Sequence, residues 1–119
     1  MADEILKGKM EMLDEALEYM DRVLSQIDGV CGNLRKKEGI NLIAQISEGF
    51  TAILQIVEYT LDITEIKIDS ENVKEFVSEI VEGMENGDFN LVADIIEYEL
   101  KPLYEEWGEV FDKVLSDGR

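Results

Sequence analysis

The chain has 119 residues with 28 acidic against 11 basic side chains, a formal charge of −17, no histidine and one cysteine. Without histidine there is no histidine general base, haem ligand or Glu-x-x-His metal site, and the lone Cys31 excludes disulfide frameworks and cysteine-rich zinc sites. A length near the commonest domain size, with 45% apolar and 33% charged residues, predicts one compact domain over residues 1–119.

Apolar residues set the expected elements. Leu6, Met10, Leu13, Leu17, Met20, Leu24, Ile27, Cys31 and Leu34 recur at alternating intervals of four and three, which places them on one stripe of a helix from Asp3 to Lys37. Gly29 and Gly32 argue for a break, since each costs a helix about 1 kcal/mol relative to alanine, but the unbroken periodicity favours continuity. Arg35, Lys36 and Lys37 then occupy the last turn, where cations complement the helix dipole, and Gly39 supplies a stop.

A second helix is expected over residues 40–63. Ile43, Ile46, Phe50, Ile53 and Val57 form its inner stripe, and Asn41, Glu48, Gln55 and Asp62 its outer face. The connector from Thr64 to Asp69 alternates apolar with polar and reads as an extended crossing segment. Asp69 or Ser70 can cap a third, shorter helix over residues 71–86, with Val73, Phe76, Val77, Ile80 and Met84 inside. Asn86-Gly87-Asp88 is a turn, and Asp88 can cap a fourth helix reaching about Ser116. Its inner positions are Val92, Ile96, Leu100, Leu103, Trp107, Val110 and Val114, and Pro102 within it predicts a kink near residues 98–102.

Four amphipathic helices on short turns predict an all-α fold, an antiparallel up-down four-helix bundle with long first and second helices and a proline-kinked fourth. Beyond the end of the short third helix, the stripes of the others are expected to show uncovered apolar surface.

Few residues invite chemistry. Asp94, Glu97 and Glu99 make the densest acidic cluster, and Glu82, Glu85 and Asp88 a looser one, but no Asp-x-Asp-x-Asp-Gly loop is present to build a tight cation site. Both read as solvated flanks. Cys31 lies on the inner stripe with no histidine to activate it, and Gly29, Cys31 and Gly32 together could let another helix approach closely. The chain contains no glycine-rich phosphate loop or G-x-S-x-G elbow. No catalytic residue, cofactor or metal is therefore assigned.

Five of nine aromatic residues fall in the fourth helix, and four of five methionines, Met1, Met10, Met12 and Met20, fall in the first or just before it. Tyr98, Tyr104, Trp107 and Phe111, with Met10 and Met20, are the candidate partner-binding set, because such side chains adapt to the apolar face of a visiting helix. The same residues also suit an ordinary core. A pI near 4.1 disfavours nucleic acid and anionic membrane surfaces and favours a basic or amphipathic protein segment. An acidic N-terminus and the lack of any apolar run near 18 residues predict a cytoplasmic protein with no membrane span.

The stretch from Asn86 to Leu103, with its core Ala-Asp-x-x-Glu-Tyr-Glu-Leu-x-Pro-Leu, resembles a segment of poorly characterised acidic helical proteins of clostridial-type bacteria. That resemblance implies a recurring helical module and carries over no functional residue. In size, acidity and helical design the chain is also similar to flagellar export chaperones, a likeness of fold that assigns no function. The expected role is a non-enzymatic, chaperone-like adaptor that binds another protein. A self-associating bundle paired through its first helices is the alternative, and a carboxylate- or divalent-metal-dependent enzyme a lesser one.

Overall fold

The computed structural model describes residues 2–118. It is all-helical, with no strand among the described residues. The first helix, α1 (Ala2–Arg35), runs unbroken through Gly29 and Gly32, as the stripe predicts. At 1.5 Å per residue its 34 residues reach about 51 Å, matching the molecule's longest dimension of 49 Å.

The end of α1 departs from expectation. Lys37, not Gly39, takes the first left-handed conformation, with φ of 62°, while Gly39 follows at 67°. The Lys37 amide donates to Leu34 O at 2.9 Å and the Glu38 amide to Asn33 O at 2.8 Å, the paired bonds of a Schellman closure. The same closure recurs after α4, where Gly87 holds the left-handed position with φ of 66°. A lysine thus serves where glycine would cost less.

The expected second helix divides into α2 (Leu42–Tyr59) and the single turn α3 (Leu61–Thr64). Thr60 marks the break, its hydroxyl donating to Ile56 O at 2.7 Å. Residues 65–69 are the irregular connector, with Ile66 and Ile68 packed inward. Then come α4 (Ser70–Glu85) and α5 (Phe89–Ile95), each started by an aspartate: Asp69 accepts from the Asn72 amide and Asp88 from the Leu91 amide, both at 3.1 Å.

From α5 the chain continues through a π turn (Ile96–Leu100) into α6 (Lys101–Asp117). Pro102 cannot donate to the carbonyl of Tyr98, and the Lys101 amide reaches back five residues to Ile96 O instead of four. Past this widened turn Trp107 stays inside as expected, while the other buried positions fall one residue later than expected. The fully buried residues of α6 are Tyr104, Trp107, Phe111 and Leu115, whereas the expected Leu103, Val110 and Val114 are half-buried.

α1 packs along α5, the π turn and α6, and also touches α2. Approaches of Arg35 to Asp94, Asp28 to Lys101, and the Gly108 and Gly118 backbones to Leu17 and Met10 show these two rods running in opposite senses. In the core, Phe50 of α2 stacks on Trp107 at 6.0 Å and meets Phe76 of α4 edge-on at 5.3 Å. No close neighbour lies within 4 Å of a Cβ built on Gly29 or Gly32, so these glycines do not serve a close helix approach; Cys31 between them does pack, against the carbonyl of Ala93.

Candidate functional site

A wide hollow lies where α1 begins and α6 ends. Gly118 meets Met10, so the first two turns of α1 project past the last turn of α6 with their stripe uncovered on that side. The result is a groove of about 830 Å³. Leu6 and Met10 of α1, Val114 and Leu115 of α6 and Ile63 of α3 supply its apolar surface. Leu6 is 46% exposed and the adjacent Ile5 is 58% exposed. Asp3, Glu11, Asp14 and Asp117 stand around the groove with Lys7.

α3 is held in place as the end wall. Lys9 donates to both carboxylate oxygens of Asp62 at 3.0 Å, and its ammonium sits 5.0 Å from the centre of the Tyr59 ring. The Lys9 side chain is only 14% exposed, so its charge is spent on Asp62 and Tyr59 rather than on the groove.

Of the six side chains expected to bind a partner, Met10 alone lines this groove. Met20, Tyr104, Trp107 and Phe111 are buried and form core, a correction to their placement on a binding surface. All four belong to the single hydrophobic core, where the rings of Tyr104 and Trp107 lie beside Phe50 of α2. Tyr98 is 69% exposed, but it projects from the π turn near the other end of α1. The hydroxyl of Tyr104 is buried without a hydrogen-bond partner, and burial pushes its pKa up. Leu6, Ile63, Val114 and Leu115 are the apolar groove residues that composition did not single out. Their nearest signal was the expectation that unequal helix lengths leave apolar stripe uncovered, which located that surface beyond the short third helix and not at the end of α6.

The acidic cluster beside Pro102 has a cation of its own. Arg35 donates to Asp94 at 2.9 Å and to Glu97 at 2.8 Å, while Lys101 reaches Asp28 at 3.2 Å. Glu99 is exposed. No group of three or more histidine, cysteine, aspartate or glutamate residues is arranged to hold a metal ion among the described residues. Cys31 is buried, its thiol pushed up to about 11 first by desolvation and then by the charge of Glu97. At neutral pH it is a protonated, weakly bonding hydrophobe, not a nucleophile.

A second, smaller cleft of about 110 Å³ separates α2 from α4. Phe50, Phe76 and Leu100 line it, and Val77 and Val81 are exposed at its mouth. Val77 was expected inside, yet only Val73 and Phe76 of that face are fully buried. No helix among the described residues is long and apolar enough to cross a membrane.

The family model described as Domain of unknown function (DUF8042) matches residues 11–110, and the chain belongs to that family. No curated protein and no solved structure is significantly similar to it. Most of the groove, including Asp3, Leu6, Met10, Val114 and Asp117, lies outside the matched span.

Proposed function

We propose that this member of a family without an assigned activity is a non-enzymatic, chaperone-like adaptor, and that it binds an amphipathic segment of another protein in the groove between the start of α1 and the end of α6. The observation that carries this reading is the uncovered start of the α1 stripe, where Leu6 stays exposed beside a half-buried Met10 and Val114. Apolar side chains grouped in a concavity cost solubility unless something covers them, and methionine suits a surface that must adapt to its occupant. The reading takes residues 1–119 as one cytoplasmic domain, an up-down antiparallel bundle of four rods: α1, α2, α4 and the α5–α6 rod. It also accords with the likeness in size, acidity and helical design to flagellar export chaperones. Enzymatic roles find little support, since Cys31 is held protonated and Asp94 and Glu97 are engaged by Arg35.

The test is affinity capture with the tagged protein and with its Leu6→Asp variant, followed by mass spectrometry. Leu6 is partly exposed, so the variant keeps its core. A discrete protein bound by the wild type and lost with the variant supports the adaptor. Equal capture by both removes the groove from the function. Self-capture alone, abolished by Leu6→Asp, transfers the groove to a dimer interface.

A further inference from the structure

We propose that the occupant of the groove is a cationic amphipathic helix, which it grips by apolar anchors on its floor and selects by carboxylates on its rim; this rests on the adaptor reading of the same groove. Two helices, α1 and α6, form the walls, and the valley between two helix ends receives a third helix at ordinary packing distance more readily than an extended strand, which would find no edge to pair with. On the floor, Leu6 and Met10 are four residues apart on α1, facing Val114 and Leu115 of α6. A visiting helix with apolar residues at intervals of three and four matches that spacing.

Charge fixes the rest of the occupant's chemistry. The lining carries four carboxylates, Asp3, Glu11, Asp14 and Asp117, against Lys7 alone among the described lining residues. Lys9 does not offset them, because both oxygens of Asp62 already hold its ammonium. An acidic segment would place like charges around the rim as its apolar face docked, whereas lysines and arginines flanking that face would meet the carboxylates. A second copy of the chain is a poor occupant for the same reason, since each copy brings a formal charge of −17 and the same acidic rim. Lys7 stands one helical turn from both Asp3 and Glu11 and opposes the proposed ligand, which makes it the residue whose reversal should improve binding.

Three synthetic peptides of about 18 residues, long enough to hold a helix, test this. The first carries leucines on one helical face and lysines elsewhere. Its twin has glutamate for every lysine, and the third keeps the lysines but scatters the leucines around the helix. Affinity is read by calorimetry and location by the methyl resonances of Met10, Ile63 and Val77. The lysine peptide is expected to bind and shift Met10 and Ile63, leaving Val77 unmoved, with affinity falling about tenfold or more from low to moderate salt. Lys7→Glu should tighten it about threefold and the double variant Glu11→Lys/Asp117→Lys weaken it about tenfold, both variants retaining the wild-type amide spectrum.

Equal binding of the glutamate twin, or no binding by any peptide, overturns the cationic assignment. So does equal binding of the scattered peptide, or a response at Val77 in place of Met10. A dimer in light scattering that Leu6→Asp dissolves overturns it in favour of a second copy. The two readings fail separately: capture that survives Leu6→Asp sinks the adaptor whatever the peptides do. Capture lost with Leu6→Asp, together with indifference to peptide charge, leaves the adaptor standing and removes only the cationic helix.

Discussion

Leu6 and Leu34 stand on the same stripe of α1 near its opposite ends, yet Leu34 is fully buried and Leu6 is 46% exposed. At the Leu34 end α5 lies alongside α1, Cys31 packs on the carbonyl of Ala93, and Arg35 bridges to Asp94 and Glu97. At the Leu6 end α6 stops against Met10, and the single turn of α3 with Tyr59 at the end of α2 stands nearby. One periodic pattern therefore yields a closed seam and an open groove, according to where the covering helix ends. Stability should reside at the first end and binding at the second.

The largest expected effect measures that contrast directly. Leu34→Ala removes a wholly buried side chain and should cost about 2–5 kcal/mol in urea denaturation, whereas Leu6→Ala should stay within about 0.5 kcal/mol. Comparable losses at the two ends would mean that the groove is closed in solution. Alanine at Trp107 belongs with Leu34, because its ring stacks on Phe50 inside the core; its loss should unfold the protein more easily by about 3–5 kcal/mol.

A smaller and opposite effect is expected from the glycines of α1. Gly29→Ala and Gly32→Ala place a methyl group where nothing lies within 4 Å, and should each stabilise the helix by about 0.5–1 kcal/mol. A loss of stability in either variant would show a neighbour at that face and call for a partner on the closed end of α1 as well.

Burial of Cys31 adds a pH dependence to the closed end. Its folded pKa lies above the ordinary thiol value, so between about pH 9 and 11 the folded state holds a proton that the unfolded chain has lost. The stabilising contribution is complete below the unfolded pKa and lost as pH rises through the folded one. Stability of the wild type should thus fall more steeply than that of Cys31→Ala over this interval, and a thiol reagent at pH 8 should label Cys31 only on unfolding. Prompt labelling of the native protein would show that this end opens too.

Much of this contrast was legible in the residues, and its limits are physical. The spacing from Leu6 to Leu34 disclosed a continuous helix, and Asp69 and Asp88 disclosed caps, because periodicity and capping are local. The stop at Lys37 was hidden, since nothing local distinguishes a lysine that will accept φ of 62° from one that continues the helix. Pro102 disclosed where the fourth helix would be disturbed. It did not disclose that a π turn would advance the inward face to Tyr104, Phe111 and Leu115. For Tyr104, Trp107 and Phe111 the sequence leaves groove and core both open, because spacing identifies an apolar face without saying which neighbour covers it. The groove itself depended on the point where α6 ends against Met10, a fact of tertiary register.

Arg35 offers the smallest and most condition-dependent test of the closed end. Its guanidinium joins two carboxylates three residues apart on neighbouring turns, and burial of the pair is incomplete: the side chains of Arg35 and Asp94 are 35% and 54% exposed. Hydrogen bonds to Asp94 and Glu97 push its pKa further up and favour the charged guanidinium. Arg35→Met keeps the aliphatic stem and removes the charge, leaving Asp94 and Glu97 to repel each other. The melting temperature should drop at low salt, and the gap from wild type should close as salt screens both the lost attraction and the new repulsion. A gap that salt does not change would mean that the stem and packing of Arg35, not its charge, hold α1 to α5. In that event the closed end is sealed by apolar contact alone, and electrostatics is left to act at the open end, on whatever the groove receives.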